Sequence, residues 1–221
     1  MAKAFLFDMN GTMINDMQFH QDAWYDVFTK ELGSDISEAD AKKEMYGKNS
    51  EVLERIFGKG RFTTQEMDEI GYRKELRYQE VFRPHLKLLP GLADFLQKAE
   101  QQHIALAIGT AALLMNVDYV LDNIDGLRRF FPIIVTADDV TTSKPDPEVF
   151  IKCAELLGIA PTDCIVFEDS PKGVEAAKNG GMKAVVLLTY HEPKDFDGLD
   201  NVLMMVQDFT DNRLAALVNN A

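Results

Sequence analysis

The stretch "FLFDMNGTMIND", residues 5–16, runs from apolar residues into an aspartate and then turns on a glycine. The run Ala4–Phe7 shows no polar alternation, the pattern of a strand buried on both faces of a sheet. Asp8 is therefore expected at the carboxyl end of a buried strand. Asn10, two residues on, carries an amide that neither gives nor takes a proton at neutral pH.

Working outward, Ile104–Ile108, Cys164–Phe167 and Ala184–Leu188 repeat that apolar pattern, with weaker candidates at Ile133–Thr136 and Val202–Val206. Helical periodicity lies between them, at Gly91–Gln102, Leu113–Asn123, Pro147–Leu157 and Lys172–Asn179. This alternation predicts an α/β fold, a doubly wound parallel sheet. Residues 16–85 break the rhythm. "DMQFHQDAWYDVFTKELG" and "TTQEMDEIGYRKELRYQEVF" are helical in period, and no strong strand separates them. The expected organisation is a core of residues 1–15 and 86–221 with an all-helical cap over 16–85. Asn15 or Asp16 is expected to cap the first helix, and "FRPHLKLLPG" (82–91) reads as the hinge back into the core. Trp24, Tyr25 and Phe28 read as cap core.

The 221 residues carry a net charge of −13, which argues against nucleic acid and anionic membrane surfaces as partners. Cys153 and Cys164 form no disulfide framework or metal-ligand spacing and are expected as buried thiols. No apolar stretch approaches the length of a membrane span, and the N-terminal residues lack a signal-peptide pattern. A cytoplasmic monomer acting on a small molecule is the expectation.

In an open parallel sheet, ligands bind beyond the carboxyl ends of the strands. The residues following the apolar runs are Asp8, Asn10, Gly11 and Thr12; Gly109 and Thr110, with Ala111 beside them; Lys144; and Glu168 and Asp169. Each has a plainer reading as well. Asp8 could end a strand in a turn, Thr110 could be a helix N-cap, Lys144 a solvated loop lysine, and Glu168-Asp169 a solvated turn. Together, three carboxylates at one spot suit Mg²⁺, which takes oxygen ligands and keeps several waters. Lys144 and Thr110 suit a phosphoryl group, whose transfer depends on positioning and charge neutralisation. A carboxylate can itself be the nucleophile, forming an aspartyl phosphate.

"DMNGT" after a strand, Thr110 after the second, "SKPDPEVF" (143–150) and "VFEDSPKGVEAAKNGGM" (166–182) resemble, in that order, the haloacid dehalogenase-like superfamily. "QFHQDAW" (18–24), "YGKNSEVL" (46–53) and "RK" (73–74) are most similar to its β-phosphoglucomutase and sugar-phosphate phosphatase subgroup. The resemblance implies Asp8 as nucleophile, and Mg²⁺ held by Asp8, the Asn10 carbonyl, Glu168 and Asp169. It implies Thr110 and Lys144 on the transferring phosphoryl group. His20, Gly47, Lys48, Asn49, Lys74 and Ala111 would lie near the rest of a small phosphorylated metabolite.

The chain departs from that pattern at Asn10, where the family's phosphatases and mutases carry a general acid–base aspartate. Four explanations stand open. The asparagine is an introduced change that stalls the phosphoenzyme, or it is natural in a slow phosphatase or mutase, with His20 or water covering the lost function. Alternatively it marks different chemistry, such as C–P bond hydrolysis with Lys48 as the amine, or a binder of phosphorylated ligands without turnover. Dehalogenase chemistry is disfavoured by "EDS", which it does not need.

Overall fold

A computed structural model describes residues 2–219. In chain order the elements are β1 (Ala4–Phe7), α1 (Met17–Asp26), α2 (Glu38–Glu44), α3 (Asn49–Phe57), α4 (Thr64–Phe82), α5 (Leu92–Gln101) and β2 (Ala105–Gly109). They continue through α6 (Leu114–Asn123), β3 (Ile133–Val135), α7 (Glu148–Leu157), β4 (Cys164–Glu168), α8 (Pro171–Asn179), β5 (Lys183–Leu187), β6 (Val202–Val206) and α9 (Ala215–Asn219). The chain separates into two compact units, Asp16–His85 and the remainder.

The unit outside Asp16–His85 contains a six-stranded sheet in the order β3-β2-β1-β4-β5-β6, parallel at every pairing. The side chains show why β1 is continuously apolar. Ala4 and Leu6 point into a cluster with Val135, Val149, Phe150, Val166 and Val174. Phe5 and Phe7 point the other way, onto Phe95 and Phe167, with the Phe7 and Phe167 rings stacked at 4.7 Å. Each face is covered, so polar alternation has no place in the strand. Strand order reverses between β1 and β4, which puts the ligand crevice of such a sheet beyond the ends of these two strands.

The Asp16–His85 unit is helical. Trp24, Val27, Phe28, Val52, Leu53 and Ile70 form its own core, with Tyr25 half-buried against them and Trp24 stacked on Phe28 at 5.1 Å. After α1 the chain continues through a π-helical turn, Val27–Glu31. Element ends differ from the sequence expectation by a residue: β2 begins at Ala105 and ends at Gly109, and β5 begins at Lys183. One expectation is corrected. Asp16 precedes α1 but makes no side-chain capping bond; its carboxylate is instead taken by the Tyr78 hydroxyl at 2.5 Å. Cys153 and Cys164 are buried, and desolvation pushes their thiols up to about 12 and about 11. Among the described residues no helix is long and apolar enough to cross a membrane.

Candidate active site

Asp8 follows β1 directly, Glu168 ends β4, and the two strands are hydrogen-bonded neighbours. Between the two carboxylates lies the Lys144 ammonium. Its Nζ donates to Asp8 Oδ1 at 2.6 Å, to Glu168 Oε1 at 2.7 Å and to the Gly109 carbonyl at 3.3 Å. Burial alone would push this lysine down; Asp8 and Glu168 outweigh it, and its pKa stands above the ordinary value. Three segments distant in sequence thus meet at one charged centre.

Glu168 is held by more than the lysine. Its Oε2 accepts from the backbone N–H groups of Asp169 and Ser170 at 2.9 and 2.8 Å, and from Ser170 Oγ at 3.0 Å. Ser170 Oγ in turn accepts from Gly173 N at 3.1 Å, capping α8. Gly173 is a glycine for a steric reason: a Cβ there would overlap the Glu168 carboxylate. A parallel case is Gly11, which has a φ of +73° and whose missing Cβ would overlap Asp169 Oδ2. Asp169 therefore lies directly against the loop that carries Asp8 and Asn10. Thr110 is buried, its N–H donating to Val135 O at 3.0 Å while its hydroxyl accepts from Ala112 N at 3.1 Å. Ala111, half-buried, follows it.

Among the described residues no group of three or more His, Cys, Asp or Glu side chains is arranged to hold a metal unaided. An ammonium stands between two of the carboxylates. The donors fit Mg²⁺ nonetheless, because that ion is satisfied by one or two carboxylates and a carbonyl and keeps its waters. The close approach of Asp169 to the Asp8–Gly11 loop supplies such an all-oxygen set.

Within the helical unit, a second polar cluster forms among the expected substrate residues. Lys74 Nζ lies 2.7 Å from His20 Nδ1 and 3.1 Å from both Glu75 oxygens. Desolvation lowers the Lys74 pKa, and Glu75 and Asp16 offset it only in part. Asn49 Nδ2 donates to Glu75 Oε1 at 2.8 Å, so His20, Lys74 and Asn49 are brought together. Gly47 and Lys48 sit beside them in sequence at the start of α3, where Lys48 N donates to Glu51 Oε2 at 2.9 Å.

The family model of the haloacid dehalogenase-like hydrolases matches residues 5–187, which carry every element of the centre just described. The chain belongs to the haloacid dehalogenase-like hydrolases. It is 29% identical to β-phosphoglucomutase of Bacillus subtilis, over 94% of this chain and 92% of that one. It is 28% identical to hexitol phosphatase B of Escherichia coli K12, covering 83% and 82%. Among solved structures, an aspartate-to-asparagine mutant of CbbY from Rhodobacter sphaeroides, in complex with xylulose-1,5-bisphosphate, aligns with a TM-score of 0.80. That match is 27% identical and covers 96% of each chain.

This hydrolase also contains polar residues that sequence reasoning passed over. Glu75 holds both Lys74 and Asn49, and Tyr78 stacks on His20 with ring centroids 3.7 Å apart. One helical turn separates Lys74 from Tyr78 and Asp16 from His20, a spacing that could have flagged the cluster. In the core, Thr189 follows β5 and donates from Oγ1 to the Gly11 carbonyl at 2.5 Å. The rule of looking just past each strand end would have found it, had it been applied to the fifth strand.

Proposed function

We propose that this hydrolase transfers the phosphoryl group of a small phosphorylated metabolite, a sugar or sugar-alcohol phosphate, to the Asp8 carboxylate and then to water. The observation that carries this reading is the Asp8–Lys144–Glu168 centre, with Asp169 against the same loop, at the switch point of the sheet. Its relatives' names, a hexitol phosphatase and a phosphoglucomutase, support the substrate class.

In the first step an Asp8 oxygen attacks phosphorus, the P–O bond to the metabolite breaks, and the leaving alkoxide takes a proton from water. In the second, water attacks the phosphoryl group, phosphate leaves, and the Asp8 carboxylate is restored. Lys144 neutralises charge on the phosphoryl oxygens throughout. Thr110 is assigned as a hydroxyl donor to the same oxygens. Asp8, the Asn10 carbonyl and Asp169 would hold Mg²⁺, with Glu168 adding negative charge beside them. When bound, that ion neutralises phosphate charge and orients the group in line. His20, Gly47, Lys48, Asn49, Lys74 and Ala111 are assigned to the non-reacting part of the substrate.

Asn10 sets the rate. An amide cannot protonate the leaving oxygen or activate water, and loss of a general acid–base group costs roughly 10²–10⁴-fold. The change Asn10→Asp is therefore expected to raise phosphate release from a panel of hexose and hexitol phosphates, with Mg²⁺ present, by about tenfold or more. If both forms release no phosphate from any member, a non-catalytic binder of phosphorylated ligands becomes the better reading.

A further inference from the structure

The loop that carries Asp8 has a conflict built into it. Asp169 can approach it only because residue 11 is a glycine, yet glycine brings the widest conformational freedom of any residue. A nucleophile loop needs the approach and cannot tolerate the freedom. Something must remove it.

The hydrogen bonds show what does. On one side of Asn10, the Met9 carbonyl accepts from the backbone N–H of Thr12, Met13 and Ile14, at 3.3, 2.8 and 3.4 Å. On the other, the Gly11 carbonyl accepts from Thr189 Oγ1 at 2.5 Å. Thr189 stands just beyond the carboxyl end of β5, two strands from β1 in the sheet order. Its neighbour Leu188 is anchored through its N–H to the Val206 carbonyl at 2.8 Å, so the donor is fixed to the sheet. With both flanking carbonyls tied, the peptide units around Asn10 have a set direction.

We propose that Thr189 is a positioning residue: it locks Gly11 from the end of β5 and thereby aims the Asp8–Asn10 loop for phosphoryl transfer. It touches no reacting atom. It acts through Gly11, and its effect rests on the reading of Asp8 as nucleophile given above.

The test compares Thr189→Val, which keeps the shape and loses the donor, with Thr189→Ser, which keeps the donor. Three quantities are measured for each: the KM and kcat of phosphate release, the melting temperature, and the affinity for beryllium trifluoride with Mg²⁺. Beryllium trifluoride mimics an aspartyl phosphate, and its adduct is read by ¹⁹F NMR without turnover. Loss of one hydrogen bond corresponds to about tenfold, so Thr189→Val is expected to lose about tenfold in kcat and in fluoride-adduct affinity. KM should stay within about twofold, and Thr189→Ser should restore both losses.

A Thr189→Val protein that melts lower but keeps wild-type kcat and adduct affinity has lost only a structural bond, which overturns the proposal. So does a Thr189→Ser protein as impaired as Thr189→Val. If instead the wild-type protein forms no adduct and releases no phosphate, the reading of Asp8 is what has failed.

Discussion

At the scale of single residues, Lys144 joins the centre together, its side chain being 8% exposed. Its pKa is raised, so the stability it lends is fully present below the ordinary lysine value of 10.5 and is lost only as pH rises through the still higher folded value. The charged form therefore persists throughout the neutral and mildly alkaline range. A profile of kcat/KM against pH should show no alkaline limb from this group below about pH 10. Replacing it, Lys144→Met, is expected to lower kcat by about 10²-fold or more, as removal of a preorganised transition-state donor does. Steady-state kinetics over that pH range check both statements. Asp8 and Glu168 were legible in the sequence because each immediately follows an apolar run, whereas Lys144 lies eight residues beyond its weaker one. Glu75 and Tyr78 left a weaker signal, the one-turn spacing from Lys74 to Tyr78, because a helix face hides its members among unrelated neighbours until its rotation is known.

At the scale of elements, α8 begins on the site. Its first turn lies against the Glu168 carboxylate, which accepts from the N–H groups of Asp169 and Ser170 just ahead of the helix and grips Lys144 with its other oxygen. A helix N-terminus favours such a negative charge. Because a Cβ at residue 173 would overlap this carboxylate, Gly173→Ala must displace it from both duties. The expected loss of stability is about 1–3 kcal/mol, as for other overpacked positions, measured by urea denaturation. A matching fall in kcat should accompany it, whereas an unchanged kcat would separate the cap from the site. The βα alternation that produced this element was readable from hydrophobic periodicity alone. The role of Asp16 was not: its sequence position suggested a cap, while burial beside Tyr78 and His20 gave its carboxylate a better partner.

At the scale of the whole molecule, charge is expected to limit the substrate. The chain carries −13 overall, so a multiply charged anion is repelled on average. In the core unit the Lys144 ammonium is already held by the Asp8 and Glu168 carboxylates. The start of α6, where an anion would otherwise find free N–H groups, is occupied by Asp138 Oδ2, which accepts from Leu114 N at 3.0 Å. A second phosphate there would meet a carboxylate. Monophosphates are therefore expected to exceed the corresponding bisphosphates in kcat/KM by about tenfold, roughly the cost of one unfavourable charge contact. Competition assays on matched pairs measure it, and Asp138→Asn should narrow the gap.

The central claim is that Asp8 carries the phosphoryl group. The most direct measurement is peptide mass spectrometry of acid-quenched protein after incubation with Mg²⁺ and an aryl phosphate, whose leaving group needs no proton from residue 10. One phosphoryl group on the peptide containing Asp8 is predicted. It should accumulate in the Asn10 protein, turn over faster after Asn10→Asp, and vanish after Asp8→Asn. Phosphate release with no adduct on Asp8 at any time point, or an adduct on another residue, would contradict the account.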